Sequence, residues 1–498
     1  MNLFLLFSVF IVSTCGLVFE LISSTLASYL LGDTVTHFSI IIGIYLCAMG
    51  VGSYLSSFFH RNLILKFVQI ELLIGLFGGF SAAVLLVAFE YVSYFHALLL
   101  SWVSLIGILV GVEIPLIMRI LKTHFEFKDL VAKVFTLDYI GALLAALAFP
   151  LLLIPYLGIL RTCFLFGLLN LFVAIGTLKY LKPWNSGIYA TISTAFVFAL
   201  FLCLGLTQSE RITSFADASA FSDPVIISKQ TRYQHLTITK SNHALKLYIN
   251  RNIQFSTYDE YRYHESLVHI GAAASQPLEH VLILGGGDGL AVRELLKYPS
   301  IKTITLVDLD QELTELFSNN PTLVDINSNS LNSPKVKIYH EDAFVWLRKN
   351  RRVFDFIVMD FPDPSNFSLG KLYSLKFFRE LKRALRPGAM SAIQSTSPYF
   401  ARKSFWCIHH TLRHAGFNTK PYHVYIPSFG EWGFVIASTG DFILPKSLPS
   451  NLKFLDMAVL PSLFHFPSDM AWLETKLNRL NNQALVKYFD KEWSVFIR

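Results

Sequence analysis

Five aspartates between residues 285 and 363 carry the chemistry available to this sequence. Asp288 sits inside GGGDG at 285–289, and Asp308 closes the apolar run 303–307. Asp342 follows the run 335–339 and leads into Ala343 and Phe344, while Asp360 and Asp363 flank the segment DFPDP at 360–364. A glycine turn behind a strand lets the backbone bend sharply and approach a ligand, with a helix opening just behind it. An acid about 20 residues further on is placed to accept both hydroxyls of a ribose. GGGDG sets a carboxylate where a pyrophosphate binder would avoid one, so the pattern disfavours NAD and fits an adenosine-bearing ligand without a phosphate. Asp288, Asp360 and Asp363 concentrate negative charge at one mouth, and such carboxylates repel one another unless something cationic sits among them. Plainer roles exist for each piece alone, since a glycine turn also makes a tight strand-to-helix connection and an isolated DxxDP caps a helix. Convergence of acids from two strands outweighs them.

The elements that must position these residues are legible as short apolar runs alternating with amphipathic stretches, which predicts βαβ units and a parallel sheet. Strands are expected at 280–284, 303–307, 335–339 and 356–359, and in an open α/β sheet their carboxyl ends face one crevice. Residues 225–262 are expected to form a small β domain ahead of that sheet.

The first part of the chain has a different composition. Of 498 residues 53% are apolar and 15% charged, and only nine of the 42 Lys+Arg and eight of the 35 Asp+Glu fall in residues 1–206. A hydrocarbon core needs about 20 apolar residues per helix. Segments near 3–31, 37–59, 67–89, 95–118, 131–157, 160–178 and 187–206 meet that length, so seven spans are expected. The opening MNLFLLFSVF lacks a basic region and a clear cleavage site, and it reads as a retained span. Residues 181–184, Leu-Lys-Pro-Trp, read as interfacial punctuation, and Gly43, Gly50, Gly52, Gly75, Gly78 and Gly79 read as helix-packing positions. The expected organisation is a polytopic helical membrane domain at 1–206, a linker and small β domain at 207–270, a Rossmann-like α/β nucleoside-binding domain at 271–440, and a helical extension at 441–498.

The net charge of +7 is spread without a basic run, so no nucleic-acid partner is implied. The five cysteines show no CxxC and no metal-ligand spacing, which points to apolar packing in a reduced environment and to no metal. Glu20, Glu71 and Glu113 lie in or near spans, where an ionisable side chain usually has a partner or a path to serve. They are either protonated, interfacial or paired with Arg61 or Arg119, or they form a cation site. Basic residues gather at Arg61 and Lys66, at Arg119, Lys122, Lys128 and Lys133, and at Lys179 and Lys182. With seven spans the positive-inside rule puts the C-terminal part outside; an even count returns it to the cytoplasm.

Residues 233–438 resemble the aminopropyltransferases, the spermidine synthase family. The resemblance rests on YQ at 233–234, YDEYRYHE at 258–265, GGGDG at 285–289, VDLD at 307–310, EDA at 341–343, DFPDP at 360–364 and LYS at 372–374. With its apolar N-terminal half, the whole chain is similar to the membrane-fused bacterial branch of that family. The resemblance implies aminopropyl transfer from decarboxylated S-adenosylmethionine, as co-substrate, to a polyamine acceptor such as putrescine, releasing methylthioadenosine without metal or tightly bound cofactor. It implies Asp360 as general base, Gln234, Asp308, Asp342 and Ala343 as methylthioadenosine contacts, and Tyr263, His264, Asp288 and Asp363 as polyamine contacts. Departures fall at Asp308, where Glu is commoner, at Leu290, at Phe361-Pro362, at Phe367 and at Phe429, several of them around the amine. The resemblance also implies a multi-pass cell-membrane protein whose catalytic domain is cytoplasmic, since its donor is a cytoplasmic metabolite, and it leaves a homo-oligomer open. Two other readings are a polyamine transporter or sensor built on the membrane domain and an S-adenosylmethionine-dependent methyltransferase. The acidic cluster argues against the last, because it would repel a carboxylated methionine tail.

Overall fold

In a computed structural model, which describes residues 2–31, 34–122, 124–180, 186–275 and 278–495, the chain divides into two units, Met1–Val225 and Ile226–Arg498. Among the described residues of the first, six helical elements are long and apolar enough to cross a membrane: Leu3–Leu31, Thr36–Ser56, Leu63–Phe89, Phe95–Leu121, Phe127–Leu178 and Gly187–Thr207. The expected count of seven spans is corrected to six. The stretches 131–157 and 160–178 fall within one candidate element, Phe127–Leu178, in which two helices meet at a kink without a loop between them. Pro150 and Pro155 cannot donate along the helix, and the backbone accommodates them with a π turn, Phe149–Leu153, and one non-helical residue, Gly158, at φ 73° and ψ 174°.

Small residues let these helices approach closely. A β carbon on Gly52 would lie 2.0 Å from the Ile108 carbonyl oxygen, and one on Gly111 would lie 2.1 Å from that of Met49. Gly75, Gly78 and Gly79 press on Leu171, Phe19 and Leu202, whereas Gly43 and Gly50 face open space within the unit. Glu71 and Glu113 are buried, but the Arg119 guanidinium donates instead to the carbonyls of Ser56 (2.8 Å) and Phe59 (2.5 Å), and Arg61 is exposed. Of the alternatives for Glu71 and Glu113, pairing with Arg119 is therefore not the one adopted. Residues 181–184 lie outside the described residues. The helix Ser209–Ala220, within the stretch expected as a linker, belongs to the first unit, where Arg161 bonds to Ser209 and Glu210.

The second unit begins with a four-stranded sheet of consecutive strands, β1 (Val225–Gln230), β2 (His235–Lys240), β3 (Leu245–Ile249) and β4 (Asn252–Ser256). The helix Glu260–Ala274 follows and leads to the larger sheet. This contains β5 (His280–Gly285), β6 (Thr303–Asp308), β7 (Val336–His340), β8 (Phe354–Asp360), β9 (Leu385–Gln394), β10 (Asn418–Ile426) and β11 (Gly430–Ser438), in the order β10-β11-β9-β8-β5-β6-β7. Strands β5 to β9 pair in parallel and β11 and β10 close one edge antiparallel. Residues 281–284 and 356–359 are buried throughout, as expected of parallel strands covered on both faces. The chain runs from β5 outward to β6 and β7 and then crosses back to β8 on the other side of β5, so a crevice opens at the carboxyl ends of these strands.

The stretch from 441, expected to be helical, is helical only at Leu460–Phe464, a 3₁₀ turn, and at Ala484–Trp493. Pro445, Pro449, Pro461 and Pro467 interrupt it, and its backbone carbonyls serve the core of the second unit instead of a helix. Met470 accepts from Trp406, Ala471 from Arg402, and Asn478 from the Leu375 N–H.

Candidate active site

Gly285 and Asp360 are register partners at the ends of β5 and β8. A β carbon on Gly285 would stand 2.2 Å from the Asp360 carbonyl oxygen, which is why the turn needs glycine there, and the Gly286 N–H donates to that same oxygen at 3.1 Å. Gly285, Gly286 and Gly289 all have positive φ. The chain thus reverses tightly over Asp360 and presents Asp288, whose carboxylate accepts from the Leu290 N–H at 2.8 Å, at the head of the helix Leu290–Leu295.

The helix Glu260–Ala274 delivers two further side chains to this spot. The Tyr263 hydroxyl donates to Oδ1 of Asp360 at 2.6 Å, with its ring held by Phe434 and Phe429 at centroid distances of 5.2 and 6.2 Å. Phe429 is the residue at which the resemblance departs from tyrosine, and here it supplies a ring wall and no hydroxyl. His264 bonds through Nδ1 to the Glu260 carboxylate and carbonyl, both at 2.9 Å. Arg293 grips that carboxylate with two N–H groups at 3.0 and 2.9 Å.

Asp363 lies beyond Asp360 on the same segment. Its two oxygens accept from Gln394 Nε2 at 2.9 Å and from the Thr396 hydroxyl at 3.3 Å. The Tyr373 hydroxyl, from the LYS segment, donates toward Gln394 Oε1 and the carbonyls of Phe361 and Pro362 at 3.3 to 3.4 Å. Thr396 is a β-branched residue held at φ 59°, a conformation costing on the order of 1–3 kcal/mol. Its N–H donates to Gln394 and its carbonyl accepts from Gly433, which hold it in place.

On the other side of the glycine turn, Asp308 accepts from the N–H groups of Gly287 (3.1 Å) and Asp310 (2.8 Å), and a β carbon on Gly287 would crowd its carboxylate at 2.8 Å. Asp342 caps the helix Ala343–Lys349 by accepting from Phe344 and Val345, while its second oxygen takes the Lys371 ammonium at 2.6 Å. Ala343 is the buried first residue of that helix. Gln234, at the turn between β1 and β2, is joined by its backbone to Thr231, whose hydroxyl donates to Asp310 at 2.7 Å, beside Asp308. Of the residues expected at the site, Asp288, Asp308, Asp342, Ala343, Asp360 and Asp363 thus lie at or just beyond the carboxyl ends of β5 to β8, Tyr263 and His264 reach them from the helix before β5, and Gln234 is linked to them through Thr231 and Asp310.

Burial sets the electrostatics. Asp288 is pushed up to about 6 from an ordinary 3.8, mainly by desolvation, with the His264 charge pulling it back and Asp360 adding to the rise. Asp363 and Asp308 are each pushed up to about 7 by burial, against their hydrogen-bond donors. Asp360 is raised by burial and held back by His264 and Tyr263. His264 would be lowered by burial, but Glu260 more than compensates and lifts it to about 9. Glu260 itself is brought down to about 2, since His264 and Arg293 outweigh its desolvation. The pocket therefore gathers buried carboxylates whose hold on a proton is raised by burial beside an imidazole that favours its charged form, an arrangement that can take a proton from a bound cation.

Sequence reasoning missed Arg293, Gln394, Thr396 and Lys371, which hold Glu260, Asp363 and Asp342 but lie 29 to 33 residues from the groups they contact. No local spacing signals such pairs.

The Spermine/spermidine synthase domain family matches residues 260–444. The chain is 50% identical over 487 residues to the polyamine aminopropyltransferase of Leptospira interrogans serogroup Icterohaemorrhagiae serovar copenhageni, covering 98% of each chain. It is 46% identical over 507 residues to polyamine aminopropyltransferase 2 of Ralstonia nicotianae, covering 100% of this chain and 99% of the relative. A crystal structure of spermidine synthase in complex with the transition-state analogue AdoDATO aligns with 54% of this chain and 88% of its own at 22% identity and a TM-score of 0.45.

Proposed function

Since the chain belongs to the polyamine aminopropyltransferase family, we propose that its crevice transfers the aminopropyl group of decarboxylated S-adenosylmethionine to putrescine, forming spermidine and methylthioadenosine. Full-length identity to aminopropyltransferases favours this over the transporter and methyltransferase readings.

The observation that carries the proposal is the short Tyr263–Asp360 hydrogen bond at the edge of a pocket also lined by Asp288 and Asp363. An alkylammonium cannot attack until it loses a proton. Asp360, fixed by Tyr263, takes that proton as general base. The freed lone pair then attacks the aminopropyl carbon bonded to the sulfonium. The new C–N bond forms as the C–S bond breaks, and the sulfur keeps the bonding pair to become the neutral thioether of methylthioadenosine. Asp288 and Asp363 hold the cationic ends of acceptor and aminopropyl tail, and Tyr263 and His264 line the polyamine side of the pocket beside them. Asp308 binds the ribose hydroxyls, and Gln234, Asp342 and Ala343 bind the rest of the nucleoside. No step requires a metal.

The first unit anchors the enzyme in the cell membrane with the second in the cytoplasm. Six crossings return the chain to the side on which it began. Arg61, Lys66, Arg119, Lys122, Lys128 and Lys133 then flank loops on that side and outnumber Lys179 and Lys182 on the other, which the positive-inside rule reads as cytoplasmic termini. The enzyme assay is methylthioadenosine release by detergent-purified protein given the donor and a panel of diamines and polyamines. Release with putrescine above all other amines supports the proposal; preference for another amine moves the acceptor, and no release with any amine in folded protein overturns it.

A further inference from the structure

The acidic pocket contains a group that is out of place in a site for cations. His264 is 2% exposed, lies within interaction range of Asp288 and Asp360, and has its protonated form favoured by Glu260, so a positive charge is drawn into the pocket. That charge attracts Asp288 and Asp360 but repels a bound cation, so the groups behind His264 that favour it bear on the site. Glu260 lies one helical turn before His264, accepts from its Nδ1, and is 6% exposed. Arg293 stands on the helix that opens behind the glycine turn. It binds both Glu260 oxygens, donates to the Ile326 carbonyl at 2.9 Å, and meets Glu294 through Nε at 2.9 Å.

Resting on the aminopropyl-transfer reading, we propose that Glu260 is a positioning residue for the reaction: clamped by Arg293, it fixes His264 as an imidazolium that keeps Asp288 and Asp360 ionised for amine binding and proton removal. The geometry supports this in three ways. Because Nδ1–H is committed to Glu260, the ring cannot rotate without losing both of its 2.9 Å contacts. Because Arg293 already balances the charge of Glu260, the His264 charge is left to act on the pocket. Finally, Arg293 ties the helix bearing Tyr263 and His264 to the turn bearing Asp288, so one ion pair sets the spacing of both halves of the amine site. The charged groups around His264 are Glu260 on its own helix, Asp288 from the glycine turn and Asp360 from β8, with Arg293 and Glu294 behind Glu260.

The test uses the full chain in detergent, labelled with ¹⁵N-histidine, with the His264 resonance assigned by its loss in His264→Gln. Wild type and Glu260→Asp are expected to keep His264 charged at pH 8, and Glu260→Gln to show it neutral. In parallel, the acid limb of the kcat profile should move up by about one pH unit in Glu260→Gln, a roughly tenfold loss at the foot of the limb. Glu260→Asp should restore most of it, and Glu260→Gln should move nothing further when added to His264→Gln. A charged His264 in Glu260→Gln, or a profile scaled down without displacement, overturns the proposal. The resonance decides this even if putrescine proves not to be the acceptor.

Discussion

The Tyr263 hydroxyl donates a 2.6 Å hydrogen bond to Oδ1 of Asp360, tying the helix Glu260–Ala274 to the last residue of β8. This bond favours the ionised carboxylate and so opposes the rise that burial imposes on Asp360. In Tyr263→Phe the opposition is lost and the Asp360 proton is held more tightly. The acid limb of kcat against pH is expected to shift upward, with about a tenfold loss at neutral pH, consistent with a hydrogen bond to a charged group, and recovery at higher pH. A loss independent of pH would mean that Tyr263 acts only through its ring.

Burial pushes Asp288 up to about 6 and Asp363 up to about 7. The amine KM is therefore expected to rise as pH falls through 7 and again through 6, while the donor KM changes less. Stability runs the other way. A carboxyl whose pKa is raised by folding contributes most below its unfolded value, near 3.8, and that contribution is lost as pH rises through the folded value. Without substrate, these two sites alone should make the second unit more stable at pH 5.5 than at pH 8. Thermal melts of wild type, Asp288→Asn and Asp363→Asn measure the difference, which should shrink in each variant.

Thr396 holds a strained backbone in order to present its hydroxyl to Asp363. Thr396→Gly removes the strain and the hydrogen bond together. The expected result is unchanged or slightly higher melting temperature with an amine KM several-fold higher, because Asp363 loses one of its two donors. Lower stability with unchanged KM would show that the conformation serves folding alone.

The C-terminal strap acts on stability. The Glu492 carboxylate accepts from the N–H groups of Lys403 (2.6 Å) and Ser404 (3.1 Å) and from the Ser404 hydroxyl (2.8 Å), capping the helix Arg402–His414 from the last helix of the chain. Glu492→Ala is expected to cost about 1–2 kcal/mol in denaturant unfolding of this unit and to leave kcat and both KM values within about twofold. A tenfold change in KM with unchanged stability would instead place the strap in the active site.

What could be read from the sequence was whatever the chain brings together locally. Asp288, Asp308, Asp342 and Asp360 each end or follow a strand, so strand periodicity and a glycine turn were enough to put them on one edge. The supports of these residues were illegible because Arg293, Lys371 and Gln394 reach their partners across the fold, and any of many basic or amide side chains would have matched as well. The span count failed for a related reason. Gly158 and the prolines at 150 and 155 look like a loop between two spans, yet the chain only kinks there: a π turn takes up Pro150, and one non-helical residue, Gly158, joins the two helices. At 478–483 the reverse occurred: a helical pattern was expected, but Asn478 spends its side chain on the Gly370 carbonyl and the Leu485 N–H, and the helix begins only at Ala484.

The most direct test of the account is a single turnover of Asp360→Asn with saturating donor and acceptor, read as methylthioadenosine formed per chain, beside equilibrium binding of methylthioadenosine. The account predicts that binding is kept within a few-fold while the rate of the chemical step falls by about 10²–10⁴, the range for loss of a general base. Turnover at close to the wild-type rate with binding intact would contradict it and move the proton acceptor to another residue.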